Sequence, residues 1–261
     1  GGLVGQTNSG AITSSHATGR VTATGYLAGG LIGYNGNGNN TDGSDVSNSY
    51  ATGNVTGTES VGGLIGASEA SNITITNSYA TGTVFGTEMN VGGLVGWNLS
   101  TISNSYAVGG VTGTNGVGGL LGYNKGAISN SYAAIGSVTG NGFVGGLVGF
   151  SFTGAISNSY ATGNVNGGNA TGGLVGSNGS GSISNSYATG NVTGSGAGSG
   201  NNVGGLVGYT GFGSISNSYA TGSVTGSGDN VGGLVGFSND STISNSYAKG
   251  SVTGGSSIVG G

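Results

Sequence analysis

Val231 to Gly254 reads VGGLVGFSNDSTISNSYAKGSVTG, and the rest of the chain repeats this stretch with small changes. Its Gly-Gly-Leu element places leucines at Leu3, Leu31, Leu64, Leu94, Leu120, Leu147, Leu174, Leu206 and Leu234, a mean spacing of about 29 residues. Repeats therefore begin near residues 1, 29, 62, 92, 118, 145, 172, 204 and 232, and residues 1–261 read as one array with no internal domain boundary. Within each copy three short apolar segments recur: V-G-G-L-V-G, then I-S-N-S-Y-A, then G-x-V-T-G. Glycines and β-branched residues never leave room for two turns of a 3.6-residue period, whereas short strands punctuated by glycine fit directly. The fold class this predicts is all-β: a parallel β-solenoid of about nine coils with three short strands per coil. Stacked at ~4.8 Å, nine coils make a rod of roughly 43 Å.

Like residues then stack into ranks. One runs Ile12, Val46, Ile75, Ile102, Ile128, Ile156, Ile183, Ile215 and Ile243; an alanine rank starts at Ala17 and Ala51, and a valine rank at Val21 and Val55. These define a narrow apolar interior. The longer insertions, Asn35 to Asp45 and Gly194 to Asn201, read as loops at corners, and one extra residue falls near Ile135.

Composition narrows the function. With Gly 66, no Pro, no Cys and 4% charged residues, the chain is far from ordinary globular usage. Three basic residues, Arg20, Lys125 and Lys249, cannot neutralise a run of phosphates, so no nucleic-acid partner is expected. No apolar run approaches the ~20 residues of a spanning helix, and no membrane insertion is expected. No signal peptide begins at Gly1, which suggests a mature or excised segment. The acids form no recurring pair of the kind glycosidic cleavage needs, His16 is the one histidine, and no G-x-S-x-G element occurs, so neither catalysis nor a cofactor is expected. Glu59 and Glu88 fall near the same corner of adjacent coils, where a weak cation site competes with a solvated pair.

The repeats GGLVG…ISNSYATGNVTG resemble the GLUG motif, a short bacterial repeat, along essentially the whole chain. The resemblance implies a large secreted or surface protein, such as a filamentous-haemagglutinin-like adhesin or the accessory region of an immunoglobulin A peptidase. It carries over no catalytic residue. The expected role is a structural rod of an extracellular fibre or adhesin at the bacterial cell surface, partnered end to end by adjoining repeats or other copies. In the first repeat Ser14-Ser15-His16 replaces Asn-Ser-Tyr, and a frayed or terminal coil is expected there.

Three ranks are candidate functional surfaces. The asparagines, among them Asn104, Asn130, Asn158 and Asn185, are expected to form a hydrogen-bonded amide ladder. The tyrosines two residues on, among them Tyr106, Tyr132, Tyr160 and Tyr187, are expected to stack. A second aromatic rank follows G-L-V-G: Tyr34, Trp97, Tyr123, Phe150, Tyr209 and Phe237, replaced by Gln6, Ala67 and Ser177 elsewhere. Facing outward, it would be an apolar strip for cell-surface or matrix glycans; facing inward, it would be packing. The Thr/Asn/Ser face of the third strand, as in Thr189 to Thr193 or Thr221 to Thr225, looks like the arrays of ice-binding solenoids, broken at Arg20, Phe85, Asn166 and Lys249.

Overall fold

A computed structural model describes residues 1–195, 201–255 and 258–261. Among these residues the protein is all-β, with five parallel sheets of nine strands each, every strand pairing with its equivalents one coil before and after. One coil shows the order. Met89–Gly92 enters, followed by Val95–Asn98, Thr101–Ser103, Tyr106–Ala107 and Val111–Thr112. We name the sheets they belong to the entry, GLVG, isoleucine, tyrosine and valine sheets. Register is kept from coil to coil, with Val95 opposite Leu121, Ile102 opposite Ile128, Tyr106 opposite Tyr132 and Val111 opposite Val138.

Five strands per coil, where the repeat pattern predicts three, arise because two of the three apolar segments each contain a corner. In V-G-G-L-V-G the chain doubles back at the glycine pair. A Cβ on Gly92 would run into the Val95 carbonyl, and one on Gly122 would lie 2.5 Å from the Asn90 carbonyl carbon and the Val91 nitrogen. The entry strand thus packs backbone to backbone against the GLVG sheet, which only glycine permits. In I-S-N-S-Y-A the corner is the asparagine. Asn104, Asn130 and Asn158 all have φ of 49°, and Asn185 has 48°, the left-handed region that asparagine tolerates better than other side chains.

The interior is a column of stacked like residues. Leu94, Val95, Ile102, Ala107 and Val111 of one coil are buried over Leu120, Leu121, Ile128, Ala133 and Val138 of the next. Both the leucine and the residue after it in G-G-L-V-G are therefore interior positions. Full burial of each branched side chain contributes about 1.5–3 kcal/mol, and because each coil packs mainly on the coils beside it, stability is built up locally along the stack.

The irregular segments fit between strands. Ile135 lies between Tyr132–Ala133 and Ser137–Thr139 and turns inward, buried, so the extra residue is absorbed by the core. The 36–44 insertion follows Ile32–Asn35 and is tied by Asn37 and Asn39, whose amides donate to Asp42 at 2.6 and 2.9 Å. Of the Gly194 to Asn201 insertion, residues 196–200 lie outside the described residues. The first coil is not frayed at its altered triplet: Ser14 takes the same corner with φ 47°, and the His16 ring stacks on Tyr50 at 5.0 Å.

Candidate functional site

The asparagine rank does not form an amide ladder. Its side chains are exposed and donate no hydrogen bond among the described residues; their contribution is the backbone corner itself. The ladder belongs instead to the serine that follows. Ser78 N–H donates to Ser105 Oγ at 3.2 Å, Ser105 N–H to Ser131 Oγ at 3.2 Å, and each hydroxyl donates back to the carbonyl two residues earlier, as Ser105 Oγ does to Ser103 at 2.8 Å. These serines are buried, and the chain of bonds satisfies groups that would otherwise be orphaned at the bend. A second buried polar ladder runs past the aromatic rank: Asn98 Nδ2 donates to Ser100 O at 2.8 Å and to Asn124 Oδ1 at 2.9 Å. Neither ladder was assigned from the sequence, where serine and asparagine are too abundant for any one position to stand out.

The tyrosine rank stacks as its spacing predicts. Tyr79, Tyr106, Tyr132, Tyr160 and Tyr187 follow one another at 4.9 Å between ring centroids, with planes within 3°. Burial, then the charge of neighbouring tyrosinates, pushes Tyr106, Tyr132 and Tyr187 above the usual phenol range.

The GLVG aromatic rank is at the surface and half-buried, with Phe237 more exposed. Trp97 stacks on Tyr123 at 4.0 Å and 10°, Tyr123 tilts against Phe150 at 5.6 Å and 49°, and Tyr209 stacks on Phe237 at 5.8 Å. Because Trp97 and Tyr123 stack along the axis, the two faces they share are closed to solvent. The continuous strip for sugar stacking expected from the sequence is thus not what the geometry offers. A free face exists only where the rank is interrupted.

Near the interruption at Ala67, itself buried, lies a notch of about 320 Å³ lined by Tyr26, Leu27, Glu59, Ser60, Glu69 and Trp97. A second recess of about 190 Å³, lined in part by Met89, Asn90, Phe143 and Tyr123, shares Trp97 with it. Glu59 therefore converges with Glu69 on one notch. Its register neighbour on the next coil is Met89, not Glu88, as the Ser60 N–H to Met89 carbonyl bond shows. The Tyr34 hydroxyl donates to Glu69 Oε2 at 2.6 Å. Burial, then that hydrogen bond and the carboxylate charge, pushes Tyr34 up to about 12. On the valine sheet, Phe85 stands 46% exposed in register between Thr56 and Thr112, so the hydroxyl face is broken there.

Fold and ladders together define a repeat protein of the parallel β-solenoid class, whose coils differ mainly in surface residues and loops. The GLUG motif model matches residues 24–56, 57–84, 87–112, 140–166, 167–193, 199–225 and 227–253, and the chain belongs to that family. The coil between the third and fourth matches, which carries the Ile135 insertion, keeps the same register in all five sheets. No curated protein and no solved structure matches the chain.

Proposed function

We propose that this solenoid is a non-catalytic structural rod in an extracellular bacterial fibre or surface adhesin, joined end to end to further coils. The observation that carries the reading is the register: in all five sheets each strand pairs in parallel with its equivalents one coil away. A stack built this way accepts an equivalent coil in the same register, and repetition of this kind makes a rod. Coils of the same polypeptide and coils of a second copy satisfy this equally.

Electron microscopy of the purified chain over a concentration series tests this. Uniform rods that lengthen with concentration, with an axial repeat that is a multiple of ~4.8 Å, are the result expected for joining between copies. Rods of constant length assign the joint to coils within one polypeptide. A compact particle with no axial repeat overturns the reading, and so does absence of antibody labelling on intact cells of the source organism.

A further inference from the structure

We propose that the notch beneath Trp97 is a binding site for an amino sugar, one saturated ring bearing an ammonium group, within an oligosaccharide. This does not depend on the role of the rod.

The aromatic rank is interrupted at Ala67, in register between Tyr34 and Trp97. Trp97 has Tyr123 on one face. The five other residues lining the notch come from the two coils on its opposite side, so the notch lies against the face that has no stacking partner. At about 320 Å³ it sits at the small end of ligand pockets. An indole face attracts both the C–H face of a pyranose and a cation, and tryptophan is the strongest such partner.

The charge around that face is one-sided. Glu59 and Glu69 are both half-buried at the notch, and none of the lining residues is basic. Glu69 gives one oxygen to Tyr34, which leaves its second oxygen and the Glu59 carboxyl to receive donors. Two carboxylates without further oxygen ligands are too few for a divalent metal, but they suit an ammonium held over a ring. The other interruption of the rank shows that a gap alone does not make this chemistry. At Ser177, Asn169 and Gly179 occupy the positions of Glu59 and Glu69.

Two unused donors extend the site. Among the described residues Trp97 Nε1 is buried without a partner, and Asn90, only 6% exposed, leaves its Nδ2 unpartnered at the adjoining recess. Buried donors without acceptors are costly, and both atoms are closed to solvent as the side chains stand. Hydroxyl or ring oxygens of a second sugar residue would satisfy them once Trp97 and Asn90 turn towards the recess. An apolar face, a positive charge on one ring and oxygens on the next describe a partly or wholly deacetylated amino-sugar oligomer.

Trp97 is the chain's one tryptophan, so its emission reports on the notch directly. The full chain is titrated with a glucosamine tetramer, its fully N-acetylated counterpart and a lysine tetrapeptide. The expected result is a saturable change in Trp97 emission with the glucosamine tetramer, weakened at least tenfold when the amines are acetylated and weakened by added salt. Glu69→Gln and Glu59→Gln should each reduce affinity by about tenfold, and Ala67→Tyr should abolish the response with an unchanged circular dichroism spectrum. Equal affinity for the acetylated tetramer overturns the ammonium assignment. Tighter binding of the lysine peptide overturns the sugar. No saturable change with any of the three overturns the site, as does an Ala67→Tyr protein that still binds.

Discussion

Two aromatic ranks climb the same solenoid with opposite habits. On the tyrosine sheet the rings keep one residue type from Tyr50 to Tyr247, with centroid spacings of 4.9 to 5.2 Å. On the GLVG sheet residue type, spacing and tilt all vary, and three coils have no ring. The backbone ladders under both are equally regular, so the difference lies in the side chains alone. A rank that is uniform acts as part of the scaffold, because each ring is positioned by identical neighbours. A rank that varies leaves individual faces, gaps and charges on a fixed scaffold, and specific recognition needs such local differences.

The severest way to break the uniform rank is at the corner that aims it. Asn130→Val puts a β-branched residue at φ 49° and should cost about 2–3 kcal/mol in chemical denaturation followed by circular dichroism. Asn130→Gly should stay within about 0.5 kcal/mol of the native chain, since glycine takes that conformation freely. An equal loss with glycine would restore the amide ladder as the asparagine's role. Next in size, Tyr132→Ala removes two ring contacts and should cost roughly 1–3 kcal/mol, whereas Tyr209→Ala removes one and should cost about half as much. Similar losses at both sites would erase the distinction between the ranks.

A smaller effect comes from alkali. The folded protein raises Tyr106, Tyr132 and Tyr187 above the ordinary phenol value and Tyr34 to about 12. Folding therefore favours the protonated phenols. That stabilisation is complete below pH ~10 and is lost as pH rises through the folded values, so Tm should fall progressively above pH ~10. In a tyrosinate titration, Glu69→Gln should bring Tyr34 down towards its ordinary value and leave the tyrosine sheet unmoved. An effect of about 1 kcal/mol is expected from Ala67→Tyr, which fills the variable rank between Tyr34 and Trp97 and must move the side chains that now bury Ala67. A loss of several kcal/mol there would mean that the gap is demanded by packing.

Much of the architecture was legible because the interior ranks repeat. Ile102 over Ile128 and Val111 over Val138 follow from the spacing of the repeats alone. The five-strand coil was not legible, because a left-handed asparagine inside I-S-N-S-Y-A leaves no trace in hydrophobic periodicity, and the doubling back at Gly92 looks like one continuous apolar run. The ladder was assigned to the wrong neighbour for the same reason: the bend turns Asn104 out and Ser105 in, which alternation along a straight strand does not reveal. In the variable rank, Ala67 is visible in the sequence only as a substitution. Its meaning depends on Glu59 and Glu69 meeting across the fold at Gly62-Gly63, and ten residues of separation do not announce that meeting.

The strict register of the sheets has a consequence for how such a protein changes over generations. Deleting one whole repeat leaves each surviving strand facing an equivalent partner, and duplicating one inserts a coil that already matches both neighbours. Length is therefore the trait this fold alters most readily, in steps of one coil or ~4.8 Å. A newly copied coil also brings a fresh GLVG position, free to lose its ring or gain a charge while the coils beside it hold the fold.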